Sequence, residues 1–446
     1  MSNRDREVGI GLIGFGTIGR GVVRVLGQNA AVISERLGAR LRLVRIADLD
    51  TETDRGVDLE GIHFDSDAKA LIADPAVDIV VELIGGTGAA RALVADAIAA
   101  GKHVVTANKA LLAHHGSEIF AQAAAAGVDV AFEASVGGGI PVLRALREGL
   151  AADRVLSIEG ILNGTTNYIL SEMEATGEAF EVILKRAQDL GYAEADPTFD
   201  IDGIDAAQKL GILVAMAFGA ELDVDSIPTQ GLRDLAPIDF EVARELGFRV
   251  KMLGIAREAA GEGDERIEAR VHPALISLGS QLASVDGAMN AVLIVGDAVG
   301  PTLYYGAGAG EMPTASAVVA DAIEIGREIL RGAGAGRVPP LSRPLEALHS
   351  RELVPTDELH GRAYLRFEVT DEPGVLSKVT GALGANDIGI ESVLQRGPAS
   401  AGGSISVVVL THAAPEAALR KAVAEIDEWP EVRARTLFVR IQENRE

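Results

Sequence analysis

There is no cysteine in this chain of 446 residues, which excludes disulfides, thiolate metal sites and any thiol nucleophile. Aromatic residues are scarce, at 4%, and bases are outnumbered: 41 Lys and Arg stand against 65 Asp and Glu, a formal net charge of −24. A surplus of that sign argues against nucleic acid or an anionic membrane as partner. Long apolar runs are missing too; none reaches the roughly 18 residues that a membrane helix needs. The opening Met-Ser-Asn-Arg-Asp-Arg-Glu leads into a strand-like run without the pattern of a signal peptide. A reducing, cytoplasmic setting is the expectation. Hydrophobic residues, at 48%, are ample for sizeable cores, and the length suits roughly two to four domains.

The first pattern is local and clear. An apolar strand from Val8 runs into Gly14-Phe15-Gly16-Thr17-Ile18-Gly19 and then into a helix. Glycines so spaced allow a tight turn and let backbone N–H groups approach a pyrophosphate at the positive end of the helix. A second strand over 41–47 ends at Ala47-Asp48, an acid where a ribose hydroxyl would be met. Asp48 lies farther from the glycines than the usual ~20 residues, so a long helix and loop are expected between them. A carboxylate there favours NAD over NADP, while Arg45 and Arg55 nearby leave NADP open.

Strand and helix patterns then alternate: a strand over 77–84 before Gly85-Gly86-Thr87, a helix over 89–100, a strand over 102–107 ending at Asn108-Lys109, a helix over 111–126 and a strand over 128–132. That alternation predicts an α/β domain with a parallel, doubly wound sheet whose ligands lie beyond the carboxyl ends of its strands. Both Lys109 and the loop 133–140 fall on that edge. From Pro141 the order changes to strands over 157–162, 248–256, 266–273 and 291–297, with helices over 168–174 and 180–190, predicting an α+β domain. Asn163-Gly164-Thr165-Thr166-Asn167 is read as the cap of the helix that follows, offering N–H groups and hydroxyls to an anion. The segment 300–311 reads as turn-rich. An apolar helix over 315–330 is expected to pack back on the first domain.

The most unusual stretch is the acidic loop 191–203 and the helix it opens, 205–218. Asp205 and Lys209 are four apart and share a helix face, with Glu194, Asp200 and Asp202 close in sequence. The rest of that helix is apolar, so its lysine stands at the mouth of a buried element. The far end of the chain reads as a separate unit: a Gly- and Pro-rich linker, then a βαββαβ order of ferredoxin-like type. In it Asp371-Glu372-Pro373-Gly374 turns into a helix, suited to a small carboxylate.

The glycine turn, Thr106-Ala107-Asn108-Lys109, the run from Glu133 to Pro141, Leu162 to Leu170, and Gly191-Tyr192-Ala193-Glu194 with Asp205 and Lys209 together resemble homoserine dehydrogenase over residues 8–330. The tail resembles an ACT domain. The resemblance implies five segments: a Rossmann-like NAD(P)-binding domain 1–140, a substrate and dimerisation domain 141–310, a returning helix 311–331, a linker 332–361 and an ACT-like regulatory domain 362–446. It implies reversible oxidation of L-homoserine to L-aspartate 4-semialdehyde with NADP or NAD, on the route to threonine, methionine and isoleucine. Lys209 matches the proton donor; Lys109 lines the same pocket and also reaches the cofactor. Glu194, Asp205, Asn163, Gly164 and Thr165 match substrate-binding positions. Gly14, Phe15, Gly16, Thr17, Ile18, Gly19, Ala47, Asp48 and Gly310 match cofactor positions. Glu133, with Val136, Gly138 and Ile140, matches a sodium site, and a hard cation with oxygen ligands suits such a loop. A second lysine lowers the pKa of a buried one while carboxylates raise it, so the balance at Lys209 stays open. The tail implies feedback by an amino acid, threonine first, and the family implies a homodimer or homotetramer.

An aspartate-semialdehyde dehydrogenase is excluded, since that chemistry needs a cysteine nucleophile. A dihydrodipicolinate-type reductase and a non-catalytic nucleotide and amino-acid sensor stand as alternatives. The former has no use for the 133–140 loop, the latter none for Lys209 beside Asp205.

Overall fold

The computed structural model describes residues 6–259, 261, 265–332, 338–396 and 403–443. Residues 1–5 of the expected leader into the first strand, 333–337 of the expected linker, and 397–402 and 444–446 of the expected tail unit lie outside them.

Six strands, β1 (Glu7–Ile13), β2 (Arg40–Ala47), β3 (His63–Asp65), β4 (Ile79–Glu82), β5 (His103–Thr106) and β6 (Val130–Ala131), form one parallel sheet in the order β3-β2-β1-β4-β5-β6. Every residue of β1 from Val8 to Ile13 is buried, as a central strand covered on both faces requires. The order reverses between β1 and β4, which opens a crevice at their carboxyl ends. The distance from the glycines to Asp48 has a simple cause: not one long helix but two, Thr17–Gln28 and Ala30–Leu37, meet at Asn29.

A second sheet combines β7 (Val155–Ile161), β9 (Phe248–Glu258), β10 (Ile267–Ser277), β11 (Met289–Gly296) and β12 (Gly300–Ala307), while β8 (Ala220–Glu221) pairs with β13 (His349–Ser350). The turn-rich reading of 300–311 needs correction here. Residues Gly300–Ala307 pair in antiparallel register with β11 from Met289↔Ala307 to Gly296↔Gly300, so pairing overrides a turn-like composition. In the tail, β14 (His360–Thr370), β15 (Ile390–Arg396), β16 (Ser404–Thr411), β17 (Ala414–Pro415) and β18 (Val432–Gln442) give the expected βαββαβ order with helices Val375–Ala385 and Glu416–Asp427. This tail does not stand apart. Its strand β18 pairs in parallel with β10 through Ala274↔Arg440, Leu275↔Ile441 and Ile276↔Gln442, making a ten-stranded sheet that runs through both halves.

The helix Glu311–Arg331 returns to the first sheet. Ala315, Val318 and Ala322 share a buried cluster with Val8, Ile10, Val22 and Val25. Gly21 permits the contact, since a Cβ there would sit 2.7 Å from the Glu311 carbonyl oxygen. Glu311 also pairs with Arg20 and with Arg24.

Candidate active site

The glycine turn is built for a ligand with many acceptors. Gly14 adopts φ +97°, and a Cβ there would meet the Leu83 carbonyl carbon at 2.8 Å, so the turn presses on the end of β4. Nothing lies within 4 Å of where a Cβ on Gly16 would be. Among the described residues, the amides of Gly16, Thr17, Ile18 and Gly19 donate to no protein acceptor, and they open the helix Thr17–Gln28. Four free N–H groups around an open space at a helix N-terminus fit a dinucleotide's phosphates.

Phe15 is engaged differently. Its amide donates to Asp48 and its carbonyl accepts from Arg55 Nε at 2.5 Å. The Ala47 carbonyl takes the Gly14 N–H at 2.9 Å, which ties the end of β2 to the turn. Asp48 therefore faces the glycine turn, and Arg55 lies 5.0 Å from the Phe15 ring, 3.6 Å from Asp48 and 3.4 Å from Asp50. Arg45 is committed elsewhere, to Asp65. Gly310 caps the helix Glu311–Arg331, next to the carboxylate that holds Arg20 and Arg24 of the glycine-turn helix.

A second set of groups converges on Asp205. The helix Ile204–Phe218 starts after Gly203, at φ +87°, and its later turns are buried, so Asp205 and Lys209 emerge only at its start. Lys209 Nζ donates to Asp205 Oδ2 at 2.7 Å and to the Leu162 carbonyl, just past β7, at 2.8 Å. Lys109 Nζ reaches Asp205 Oδ1 at 3.2 Å from the other side. The carboxylate is 6% exposed, with Lys209 at 12% and Lys109 at 31%, so one buried anion stands between two cations of unequal access. Burial alone would raise the Asp205 pKa, yet the charges of Lys209 and Lys109, with hydrogen bonds from Lys209 and Asn163, hold it at about 2.

Asn163 closes the group. Its Oδ1 caps the helix Gly164–Thr176 by accepting the Thr166 N–H, and its Nδ2 donates to Asp205 Oδ2 and Asp200 Oδ1, each at 2.8 Å. The helix thus begins four residues earlier than the spacing predicts, and the hydroxyls expected to face an anion are used within the protein. Thr165 Oγ1 donates to the Tyr192 carbonyl and Thr166 Oγ1 to the Asn163 carbonyl. Asn167 Nδ2 donates to the carbonyls of Val285, Gly287 and Met289. Gly164 must be glycine, because a Cβ would lie 2.7 Å from the Ala288 carbonyl oxygen.

Two groups escaped the sequence reading. Asp200 sits in the acidic loop, where it was one acid among several; burial, then the Asp205 charge, raises its pKa. Glu82, at the end of β4 and fully buried, accepts the N–H groups of Ile84 and Gly85 at 2.9 and 3.1 Å and the Thr106 hydroxyl at 2.6 Å. Thr106 Oγ1 in turn accepts the Asn108 amide, and Asn108 holds the Gly86 carbonyl and caps the helix Lys109–Ala126. Lys109 is therefore aimed by a chain of hydrogen bonds that starts inside a strand. An acid inside an apolar run, Val80-Val81-Glu82-Leu83, was the signal for it. Glu194 stands apart: its side chain is exposed and makes no hydrogen bond or ion pair among the described residues.

The 133–140 loop is buried except at Gly139. Glu133 accepts the N–H groups of Leu143 and Arg144 at 2.9 and 2.8 Å, and its own amide donates to Asp321. Among the described residues nothing donates to the carbonyls of Val136 and Gly138, whereas that of Ile140 accepts from Val142. Buried carbonyls left without donors fit a hard cation.

The family model described as Homoserine dehydrogenase matches residues 141–323, that of the Homoserine dehydrogenase NAD binding domain residues 14–133, and that of the ACT domain residues 363–428. A homoserine dehydrogenase of Neisseria gonorrhoeae is 47% identical over 95% of both chains. One of Pseudomonas aeruginosa is 44% identical over 98% of this chain and 99% of its own. The crystal structure of a homoserine dehydrogenase from Thiobacillus denitrificans superposes with a TM-score of 0.91 at 46% identity, covering 99% of each chain.

These matches make the chain an NAD(P)-dependent oxidoreductase, with an ACT domain as its tail. Within that class it belongs to the homoserine dehydrogenase family. Its activity is that family's reaction, the interconversion of L-homoserine and L-aspartate 4-semialdehyde. No helix among the described residues is long and apolar enough to cross a membrane.

Proposed function

We propose that Lys209 is the proton donor of this reaction, protonating the aldehyde oxygen of L-aspartate 4-semialdehyde and taking the proton back from the L-homoserine hydroxyl in the reverse direction. The reading rests on one observation: the Lys209 ammonium is held by two acceptors, Leu162 O and Asp205, behind a carboxylate shared with Lys109. The bound dinucleotide supplies or accepts the hydride at the substrate's terminal carbon. Asp205 holds both ammonium groups in place, one on each of its oxygens. Lys109, the more exposed, meets the substrate oxygen or the cofactor edge. Asn163, Gly164 and Thr165 shape the wall, and Glu194 with Asp205 binds the substrate ammonium. Glu194 is now exposed, so its part requires the 191–196 loop to close over the ligand.

Replacing Lys209 by alanine tests this. We expect kcat to fall by roughly 10²–10⁴, the range for loss of a general acid, while the dissociation constant for NAD(P) stays within about twofold. Unchanged turnover refutes the role.

For the cofactor, Gly14, Phe15, Gly16, Thr17, Ile18, Gly19, Ala47, Asp48, Lys109 and Gly310 form the site, and NAD serves at least as well as NADP. The Asp48 carboxylate repels a 2′-phosphate, and Arg55, the nearest cation, already donates to three carbonyls, those of Phe15, Thr53 and Asp50. Strict dependence on NADP in the purified protein counts against this. A sodium ion would be held by the carbonyls of Val136, Gly138 and Ile140 with Glu133, and would brace the hinge between the two sheets; indifference of activity and melting to sodium removes it. The ACT domain is read as a sensor of L-threonine, which millimolar titration against activity decides. Strand β12, an edge with Tyr305 56% exposed, is where a second copy would add to give a homodimer or homotetramer. Sedimentation of the purified chain as a monomer refutes that. A cytoplasmic setting suits a cysteine-free chain, and recovery from an oxidising compartment would refute it.

A further inference from the structure

Beside the junction of β10 and β18 lies a cavity of about 480 Å³, and five guanidinium groups line it: Arg270, Arg366, Arg420, Arg435 and Arg440. The one carboxylate in its lining is Asp234. In a chain with 24 more acids than bases, this is a local inversion of sign. The carboxylates that answer these cations are not part of the lining. Asp239 and Glu368 both pair with Arg366. Glu416 is shared by Arg420 and Arg440, and Glu268 by Arg270 and Arg257. The Arg270 side chain is 8% exposed, and its Nε is spent on neutral acceptance by His272 Nε2 at 2.8 Å. Arg435 is exposed and makes no hydrogen bond or ion pair among the described residues.

The geometry is also held in advance. Phe438 has the Arg420 and Arg440 guanidinia 5.3 and 5.6 Å from its ring centroid, and its carbonyl accepts from Gln230. Fixed guanidinia in a concave site lose little entropy on meeting an oxyanion and match its paired acceptors.

We propose that this cavity binds a small, multiply charged oxyanion, a phosphate group either free or carried by a small organic molecule. Its walls come from the middle of the chain (Gln230, Arg270, His272), from Thr356 ahead of the tail, and from the tail itself (Arg366, Arg435, Arg440). None comes from the nucleotide-binding sheet, so the site is separate from the glycine turn. Only three residue pairs join β10 to β18, and Arg440 belongs to one of them. A ligand here therefore fastens the ACT domain to the catalytic sheet.

The test is calorimetric titration of the full chain with inorganic phosphate and, separately, with glycerol 3-phosphate, in saturating NAD so that the glycine turn is filled. We expect saturable binding that weakens with added sodium chloride and falls roughly tenfold in Arg435→Ser, further in the double variant with Arg420→Gln. Both side chains lie at the surface, Arg420 being 48% exposed, so the variants should keep their fold. Tighter binding of the organic phosphate assigns the site to a metabolite, and equal binding to the free ion. No heat beyond a chloride control, or equal affinity in wild type and double variant, overturns the proposal.

Discussion

Asp205 decides more at the scale of single residues than either lysine it holds. With its pKa depressed to about 2 in the folded protein, against an ordinary 3.8, its stabilising contribution is complete above the ordinary value and is lost as pH falls through about 2. The shift corresponds to roughly 2 kcal/mol at neutral pH. Asp205→Asn should therefore lower unfolding stability by about that amount at pH 7. The gap to wild type should hold down to about pH 4 and begin to close by pH 3. Urea unfolding across that range checks it, and a gap independent of pH would mean the asparagine is costly for its shape and not its charge. The local pattern Asp205-x-x-x-Lys209 was readable in the sequence because helical spacing puts the two on one face. That Lys109, nearly a hundred residues earlier, shares the same carboxylate was not, since the contact crosses from one sheet to the other.

Among the elements, most of those whose pattern is local read correctly: β1, the glycine turn, β2 and the alternating units from β4 to β6. The short β3 and the helix Ala68–Ala73 went unread, and the long helix expected after the glycine turn is two. Those fixed by distant partners did not read correctly. Strand β12 carries Gly300, Pro301 and Gly306 and forms because β11 supplies its hydrogen bonds. The helix Gly164–Thr176 starts early because Asn163 caps it while also holding two acids, Asp200 and Asp205, from two other helices. The returning helix Glu311–Arg331 was legible as an apolar helix, but not what it places beside the 133–140 loop. Its Asp321 is 1% exposed, accepts the Glu133 amide and pairs with Arg144; burial, then the Glu133 charge, pushes its pKa up to about 7. A raised pKa reverses the usual acid's behaviour: the contribution to stability is present below 3.8 and lost as pH rises through about 7. Asp321→Asn keeps the acceptor and removes the titration. We expect the variant to gain roughly 2 kcal/mol on wild type between pH 5 and pH 8, read from urea midpoints at the two pH values. Glu133, also raised by burial, lies beside it and is coupled to it by charge, so the comparison reads the titration of the pair.

For the molecule as a whole, the open question was whether the ACT domain is a bead on a linker or part of the body. The sequence favoured a bead, because its βαββαβ order is complete and the residues before it are rich in Gly and Pro. Sheet edges carry no signature of what will pair with them, and that is why the ten-stranded sheet was not foreseen. The intervening segment is itself docked. Arg343 donates to the carbonyls of Met216 and Ala217 at the end of the Lys209 helix, and β13 pairs with β8 just beyond. Tyr364, Leu437, Val439 and Ile441 of the tail are buried in the same cluster as Val271 and Leu275 of β10. Tyr364 Oη and Arg366 Nε both donate to buried Asp239, at 2.7 and 2.8 Å. Ending the chain at residue 358 would expose those apolar neighbours, at roughly 1.5–3 kcal/mol for each large side chain uncovered. It would also strip Asp239 of its cation and hydroxyl. Together these rival the whole stability of an ordinary domain, about 5–15 kcal/mol. The truncated chain should therefore be insoluble or melt far below the full one in a thermal scan, even with NAD(P) present. A truncated chain that melts with the full one and keeps its kcat would mean that the seam between β10 and β18 adds little to the stability of the body.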